Sequence, residues 1–454
     1  MKLSKQELFE SASIPKAYFA LTIPSVLGKV VMLLYNMADT WFIAATDDPS
    51  LVAGVSLCGP IFMLMLAMGD IFGMGGSSVI SRLFGKGQIK EAGRVSSFCF
   101  YGALLGGVLT TIILLGFQAP ILMLLGADKD TLPYAAEYYR YIALGAPVIV
   151  ASIVPLNLLR SEGMAKASMF GSALGSVVNI VLDPIFIFTF GMGAAGAAIA
   201  TVLGNAASLV LYLYFINRKA QFLTVSPKLF TGKRSEIGPV FSIGIPASVN
   251  NLMQSFGIAL CNRFLLLYGS DKIAAAGIAS KISMISSMMI VGFAFGAAPL
   301  VGYTYGKGNR EKLKAIVKFF YKFQFGMSAA VALVLGILSE PLIAAFMDDP
   351  AILSAGTEIL RWQLVGMPFM SVVLVSACIF QASGKAKAAL ALSLSRQGVI
   401  YLIVIIAANA LFRYNGVVAA QAVADLLSAG IAIVLFARGI GSELRGIENA
   451  NLNF

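Results

Sequence analysis

Apolar stretches of about 20 residues, the length that crosses a bilayer as a helix, follow one another almost from end to end of this chain. Twelve can be delimited: 17–44, 51–78, 97–126, 133–159, 167–191, 195–217, 239–268, 273–303, 319–346, 353–382, 388–412 and 416–438. With no water in the hydrocarbon region, each span must satisfy its own backbone, so the pattern predicts helices. The expected fold class is an all-α polytopic membrane protein.

The breaks between spans recur. Gly85-Lys86-Gly87 returns 221 residues later as Gly306-Lys307-Gly308, Pro120 as Pro341, Gly145 and Pro147 as Gly366 and Pro368, and Gly163 as Gly384. Proline fills only 16 of 454 positions, so two prolines matching at one shift argue for a duplicated unit. Six spans per unit leave the copies in the same orientation across the membrane, as parallel repeats related by an axis along its normal and flanking a central cleft. The expected domains are 1–218, a linker at 219–238, and 239–454.

Composition agrees: 58% of residues are hydrophobic and 12% charged, with a mean hydropathy of +0.85. A soluble domain carries about 25% charged residues. Charge then gives orientation. Taking the amino terminus as cytoplasmic, loops on that side hold 24 Lys and Arg, and the opposite loops hold only Lys129, Lys272 and Arg413. The positive-inside rule therefore puts both termini in the cytoplasm. The net charge of +11 is thus a matter of topology. No soluble basic domain is present, so nucleic acid is not an expected partner. The stretches 82–94 and 307–318 are expected as short amphipathic helices on the cytoplasmic face, each following a turn that glycine permits. Gly-Lys-Gly is not a Walker loop, which needs Gly-x-x-x-x-Gly-Lys followed by Ser or Thr. Any pumping must therefore draw on an ion gradient. The linker, with Arg218, Lys219, Lys228, Lys233 and Arg234, is either a joint between moving halves or a passive tether. The chain has no histidine, which excludes histidine relays, histidine metal sites and Ser-His-Asp chemistry. Cys58, Cys99, Cys261 and Cys378 are expected as small core residues. The first span, containing Pro24, is expected to act as its own insertion signal.

Polar side chains at membrane depth are candidate functional groups. Asp39 shares a helical face with Asn36, with Tyr35 one turn back. Asp183 lies four residues after Asn179 and just before Pro184, which cannot donate to the Ile180 carbonyl. A carboxylate flanked by amide and carbonyl oxygens can bind a proton or a hard monovalent cation; the alternative is a helix–helix hydrogen bond between two protonated acids. Aligning Gly54 with Gly277 sets Asp39 against Asn262, and the 221-residue shift sets Asp183 against Val404, so coupling is expected in the first half only. Asp70 and Lys281, in spans two and eight, are a candidate gate, with a structural ion pair as the alternative. The roles of Lys29 and Arg396 stay open. Met63 and Met288 belong to methionine-rich stretches of spans two and eight that suit an adaptable pocket or ordinary membrane core. With Tyr35 and Asn262 they are the candidate substrate-cavity residues.

Twelve spans in a six-plus-six repeat, Pro24 and Asp39 in the first span, Asn179 to Asp183 in the fifth, and Gly196-Ala197-Ala198 with Thr201 in the sixth together resemble the multidrug and toxic compound extrusion (MATE) family, in its DinF/MepA-like bacterial or archaeal branch. The resemblance covers nearly the whole chain. It implies that Asp39, Asn157, Asn179, Asp183 and Thr201 line a cation- or proton-responsive cavity, joined by a tyrosine that is either Tyr138 or Tyr139. Another branch carries acids in its seventh and tenth spans; here the seventh has Asn250, Asn251 and Gln254, and the tenth only Glu358 near its outer end. The resemblance thus implies a monomeric secondary antiporter, not an enzyme. It would export small amphipathic, often cationic compounds by alternating access, with H+ or Na+ as coupling ion, no cofactor and no structural metal. Two alternatives remain: a lipid-linked oligosaccharide flippase of the same superfamily, and an intramembrane aspartyl enzyme using Asp39 and Asp183.

Overall fold

The computed structural model describes residues 5–230, 232–346 and 349–445, and every regular element among them is helical. The first six spans are α1 (Ile14–Ala44), α2 (Gly59–Gly85), α3 (Ile89–Gly116), α4 (Leu132–Ser161), α5 (Ala165–Pro184) and α6 (Gly193–Lys219). The next four are α7 (Arg234–Leu265), α8 (Ser270–Gly296), α9 (Arg310–Ile337) and α10 (Pro350–Ala382). The helix Ala386–Leu394 then passes through a π turn, Ser395–Val399, into Ile400–Arg438. That last stretch breaks at Arg413, whose φ of 52° no helix contains, and so divides into α11 (386–412) and α12 (414–438). Among the described residues, 10 continuous helical stretches are long and apolar enough to cross a membrane; one of them, Ala386–Leu444, holds both α11 and α12. The remaining span is α7, diluted by Asn250, Asn251, Gln254 and Asn262. The expectation of twelve spans holds.

The duplication is visible in the backbone. Gly87 and Gly308 turn at φ of 73° and 74°, and Gly163 and Gly384 at 79° and 78°, all in the left-handed region that glycine enters without strain. The caps ahead of the fourth and tenth spans also match at the same shift. Asp128 Oδ1 accepts from the amides of Asp130 (3.2 Å) and Thr131 (2.9 Å). Asp349 Oδ1 accepts from Ala351 (2.8 Å) and Ile352 (3.1 Å), closing the first turn of α10. The helices these turns introduce, α4 and α10, are the most enclosed spans, each with 72% of its apolar window buried.

Packing divides the chain into two units, Ile23–Ser248 (with the segment before residue 12) and Ala12–Thr22 with the chain from Val249 onward. The beginning of α1 thus belongs to the second unit. There Tyr18 is fully buried, its ring 5.5 Å from Phe320 and 5.3 Å from Phe323, its hydroxyl 3.3 Å from Gln324 Oε1. The beginning of α7 belongs to the first unit, where Phe241 packs 5.6 Å from Phe72 and 6.0 Å from Phe98.

One expectation changes. The stretches 82–94 and 307–318 form no separate surface helices: α2 ends at Gly85 and α3 begins at Ile89, and a helix ending at Lys307 is followed by α9 from Arg310. Their basic residues occupy the ends of the spans themselves, because a glycine turn and a cap such as Asn309 (accepting from Lys312 N at 3.0 Å) restart the helix within a few residues. The linker is anchored at several points. The Glu162 carboxylate accepts from the amides of Gln221 (2.6 Å), Phe222 (3.3 Å) and Leu223 (3.2 Å), while Ser96 and Tyr101 donate to the Thr224 and Val225 carbonyls at 2.9 and 2.8 Å. Arg94 pairs with Glu236 at 2.8 Å just beyond it.

Candidate functional site

Within the first unit, α1, α4, α5 and α6 bring most of the predicted polar residues together. Asp183 is fully buried at the end of α5, where Pro184 removes a backbone donor and the helix relaxes into the π turn Ile185–Thr189. Asp39, half-buried on α1, is hydrogen-bonded through its carboxyl to Asp183. A hydrogen bond between two carboxyl groups requires a proton on one of them, so this pair is a candidate proton site. Asp39 Oδ1 is buried, and no described residue donates to it. Asn179, 2% exposed, is best satisfied with its amide nitrogen donating to Asp183 Oδ2 (3.0 Å) and its oxygen accepting from Thr201 N (3.1 Å). The Thr201 side chain is hydrogen-bonded in turn to the Tyr35 hydroxyl. Tyr138 is the tyrosine near this cluster, within electrostatic reach of Asp39, Tyr35 and Asp183. The Tyr139 hydroxyl instead donates to the Leu114 carbonyl at 2.7 Å.

Beside these groups lies a cavity of about 130 Å³ whose walls include Tyr35, Asn179, Thr201, Lys29 and Arg160. Lys29, Arg160 and Asp70 interact electrostatically, so Asp70 has partners within its own unit. Lys281, its expected partner, is exposed on α8. Sequence reasoning missed Arg160 and Asn205 as lining residues. Asn205 Oδ1 accepts from Ser152 at 3.2 Å, and its position four residues after Thr201 was a readable signal.

Other expected residues lie apart. The Asn157 amide donates to the Ile153 carbonyl at 3.0 Å, against Gly73 of α2. The Asn36 carbonyl accepts from Thr40 at 2.8 Å. Met63 is 47% exposed on α2, and Met288 is half-buried on α8. Asn262 lines a different cavity, in the second unit. That unit also holds an acid the span-by-span reading passed over: Asp425 of α12, 3% exposed and paired with Arg396 at 2.6 Å. The four cysteines are free, and three of them are buried.

A helical protein whose chain has the spans to cross a membrane many times in two duplicated units, with two neighbouring carboxyl groups within its spans, has the architecture of a membrane transporter. The MatE family model matches residues 24–185 and 246–406, once in each repeat. The chain therefore belongs to the MatE (MATE) family of transporters, which are not enzymes.

Similarity extends over almost the full length of several characterised proteins. The chain is 28% identical over 440 residues to the multidrug export protein MepA of Staphylococcus aureus (strain NCTC 8325 / PS 47), covering 96% of each chain. It is 27% identical over 435 residues to MepA of Staphylococcus saprophyticus, again covering 96% of each. Among solved structures, an outward-facing multidrug resistance MATE family transporter of the MOP superfamily matches with a TM-score of 0.91 at 27% identity, over 98% of this chain and 100% of that one. A MOP superfamily transporter from Pyrococcus furiosus, described as having a binding pocket of reverse polarity that suggests a different function, matches with a TM-score of 0.90 at 27% identity, over 97% and 99%.

Proposed function

We propose that this protein is an ion-coupled antiporter that expels small amphipathic, often cationic organic compounds. The observation that carries the proposal is the Asp39–Asp183 carboxyl pair with its unpartnered buried oxygen. A proton, or a sodium ion held with the help of Thr201, Asn179 and Tyr35 oxygens, would remove one of the pair's two negative charges and favour closer packing of α1, α5 and α6. Loss of the ion would leave two adjacent negative charges that favour an organic cation instead. Ion and substrate would thus exclude each other, which is the condition for exchange. The positive-inside count supports cytoplasmic termini in a plasma membrane, and a monomer suffices because both repeats lie in one chain. A flippase for a pyrophosphate-linked lipid would call for a cluster of cations, and the lining of the second unit's cavity supplies a single one, Arg396, which argues against that reading.

The test is efflux of a cationic dye from sealed proteoliposomes under proton and sodium gradients imposed separately. Efflux driven by one gradient, and lost when that gradient is collapsed, is the expected result. Efflux indifferent to both would refute the proposal.

A further inference from the structure

The second unit has its own polar chamber, a cavity of about 180 Å³ bordered by α7, α8, α10, α11 and α12. Arg396 stands at its wall on the π turn, 9% exposed. Its Nε donates to Asp425 Oδ1 at 2.6 Å, and Gln421, one turn earlier on α12, donates to the same oxygen at 3.2 Å. The other oxygen, Oδ2, fits against Gly366, where a Cβ would lie 3.1 Å away. Asp425 is therefore locked, and it grips Arg396 by Nε alone. The two terminal guanidinium nitrogens carry four further N–H groups, and no described residue accepts from them. The rest of the wall is uncharged, with Gln254, Asn262, Gln363 and Tyr401 set among apolar residues such as Leu265 and Met370.

Packing does not call for this pair. Arg396 and Asp425 are the repeat equivalents of Gly175 and Gly204, whose backbones touch in the first unit: a Cβ on Gly175 would lie 2.5 Å from the Gly204 carbonyl oxygen. Where the first unit closes α5 on α6 with two glycines, the second opens the same place and lines it with charge. A buried ion pair is a poor filler, since apolar residues of equal volume are generally as stable or more so. The Nη groups are not sealed off by protein and stay open to the chamber.

We propose that this chamber is a binding site for a small planar carboxylate. Asp425 and Gln421 orient the guanidinium, its Nη edge receives the two carboxylate oxygens side by side, and the neighbouring amides take the remaining contacts. The volume suits one ring: a cavity of about 150 Å³ holds benzene. The site is separate from the carboxyl pair of the first unit and does not depend on the ion-coupling reading.

The test is equilibrium binding of radiolabelled benzoate to the purified full-length protein, with no gradient. Saturable binding at one site per chain is expected, competed by other small aromatic acids and not by benzyl alcohol. Arg396→Lys keeps the charge facing Asp425 but removes the planar fork, and should weaken binding by about tenfold or more. If that variant does not fold, the charge-removing double variant Arg396→Gln with Asp425→Asn should abolish saturable binding. Binding that survives in the folded variant, or no saturable binding to the wild type, overturns the site; the latter would mean that water alone fills the chamber.

Discussion

At the residue scale the carboxyl pair makes the sharpest claims. Asp39→Asn keeps the shape and the hydrogen-bonding capacity of the side chain while removing its titration. It should abolish gradient-driven dye efflux and leave expression and monodispersity unchanged; pumping at the wild-type rate would dismiss Asp39 as a coupling group. The two adjacent tyrosines give an internal control. Tyr139→Phe removes a buried hydrogen bond to the Leu114 carbonyl and should cost about 1 kcal/mol of stability without changing transport. Tyr138→Phe, beside Asp39 and Asp183, should instead alter transport and its pH dependence. Equal behaviour of the two variants in both assays would contradict this assignment. The choice between them was not legible in the sequence. Neighbouring residues on a helix point about 100° apart, and α4 is so enclosed that its apolar pattern does not set its rotation. Asp39, Asn179 and Asp183 were legible because a polar group inside an apolar run stands out by itself. Asp425 carried the same signal, with Gln421 one turn before it, and was passed over because the comparison was tied to repeat-equivalent acids.

At the scale of elements, the spans could be read from hydropathy, but what holds their connections could not. Glu162 sits in a loop at the end of α4, and nothing in its neighbourhood in sequence announces three backbone amides from a segment about 60 residues away. Removing that anchor should release the linker. Glu162→Ala is expected to speed tryptic cleavage after Lys219 or Lys228 by about tenfold, the signature of local opening, with no change in the global unfolding temperature. An unchanged digestion pattern would mean that the Ser96 and Tyr101 contacts suffice. A second cap reads out with pH. Asp48 lies outside the spans and closes the short helix Pro49–Leu57, accepting from Ser50 N at 2.9 Å and Leu51 N at 3.2 Å. The Tyr134 hydroxyl first, then these amides, hold its carboxyl below the usual carboxylate range. A lowered folded-state pKa stabilises above the unfolded value, about 3.9, and the benefit disappears as pH falls through the lower folded value. Asp48→Asn should thus lower the melting temperature at neutral pH, and the gap to wild type should narrow on acidification below about pH 4. A gap independent of pH would assign the cap to shape alone.

At the scale of the whole molecule, the duplication was legible and the division of labour only half so. Glycines and prolines mark the repeat because turns and kinks constrain them wherever they fall, so the second copy preserves them at a fixed shift. Which segment packs in which unit is a different kind of information. Hydropathy identifies residues that tolerate lipid and says nothing about their neighbours, so the membership of Ala12–Thr22 in the second unit had to come from the structure. The copies have also diverged chemically. The first holds two neighbouring carboxyl groups, Asp39 and Asp183; the second holds an Arg–Asp pair, with Asn262, equivalent to Asp39, in the wall of the same cavity. Coupling by titration should therefore follow the first unit. Asp183→Asn is expected to eliminate gradient-driven efflux. Asn262→Ala removes one neutral hydrogen-bonding group and should slow efflux by no more than about fivefold, the worth of a single such bond. Both variants would be compared in the same proteoliposomes at matched protein content, with passive dye leak subtracted. A loss as deep for Asn262→Ala as for Asp183→Asn would place the coupling reaction in a site that both repeats build, and the asymmetric reading of this transporter would have to be given up.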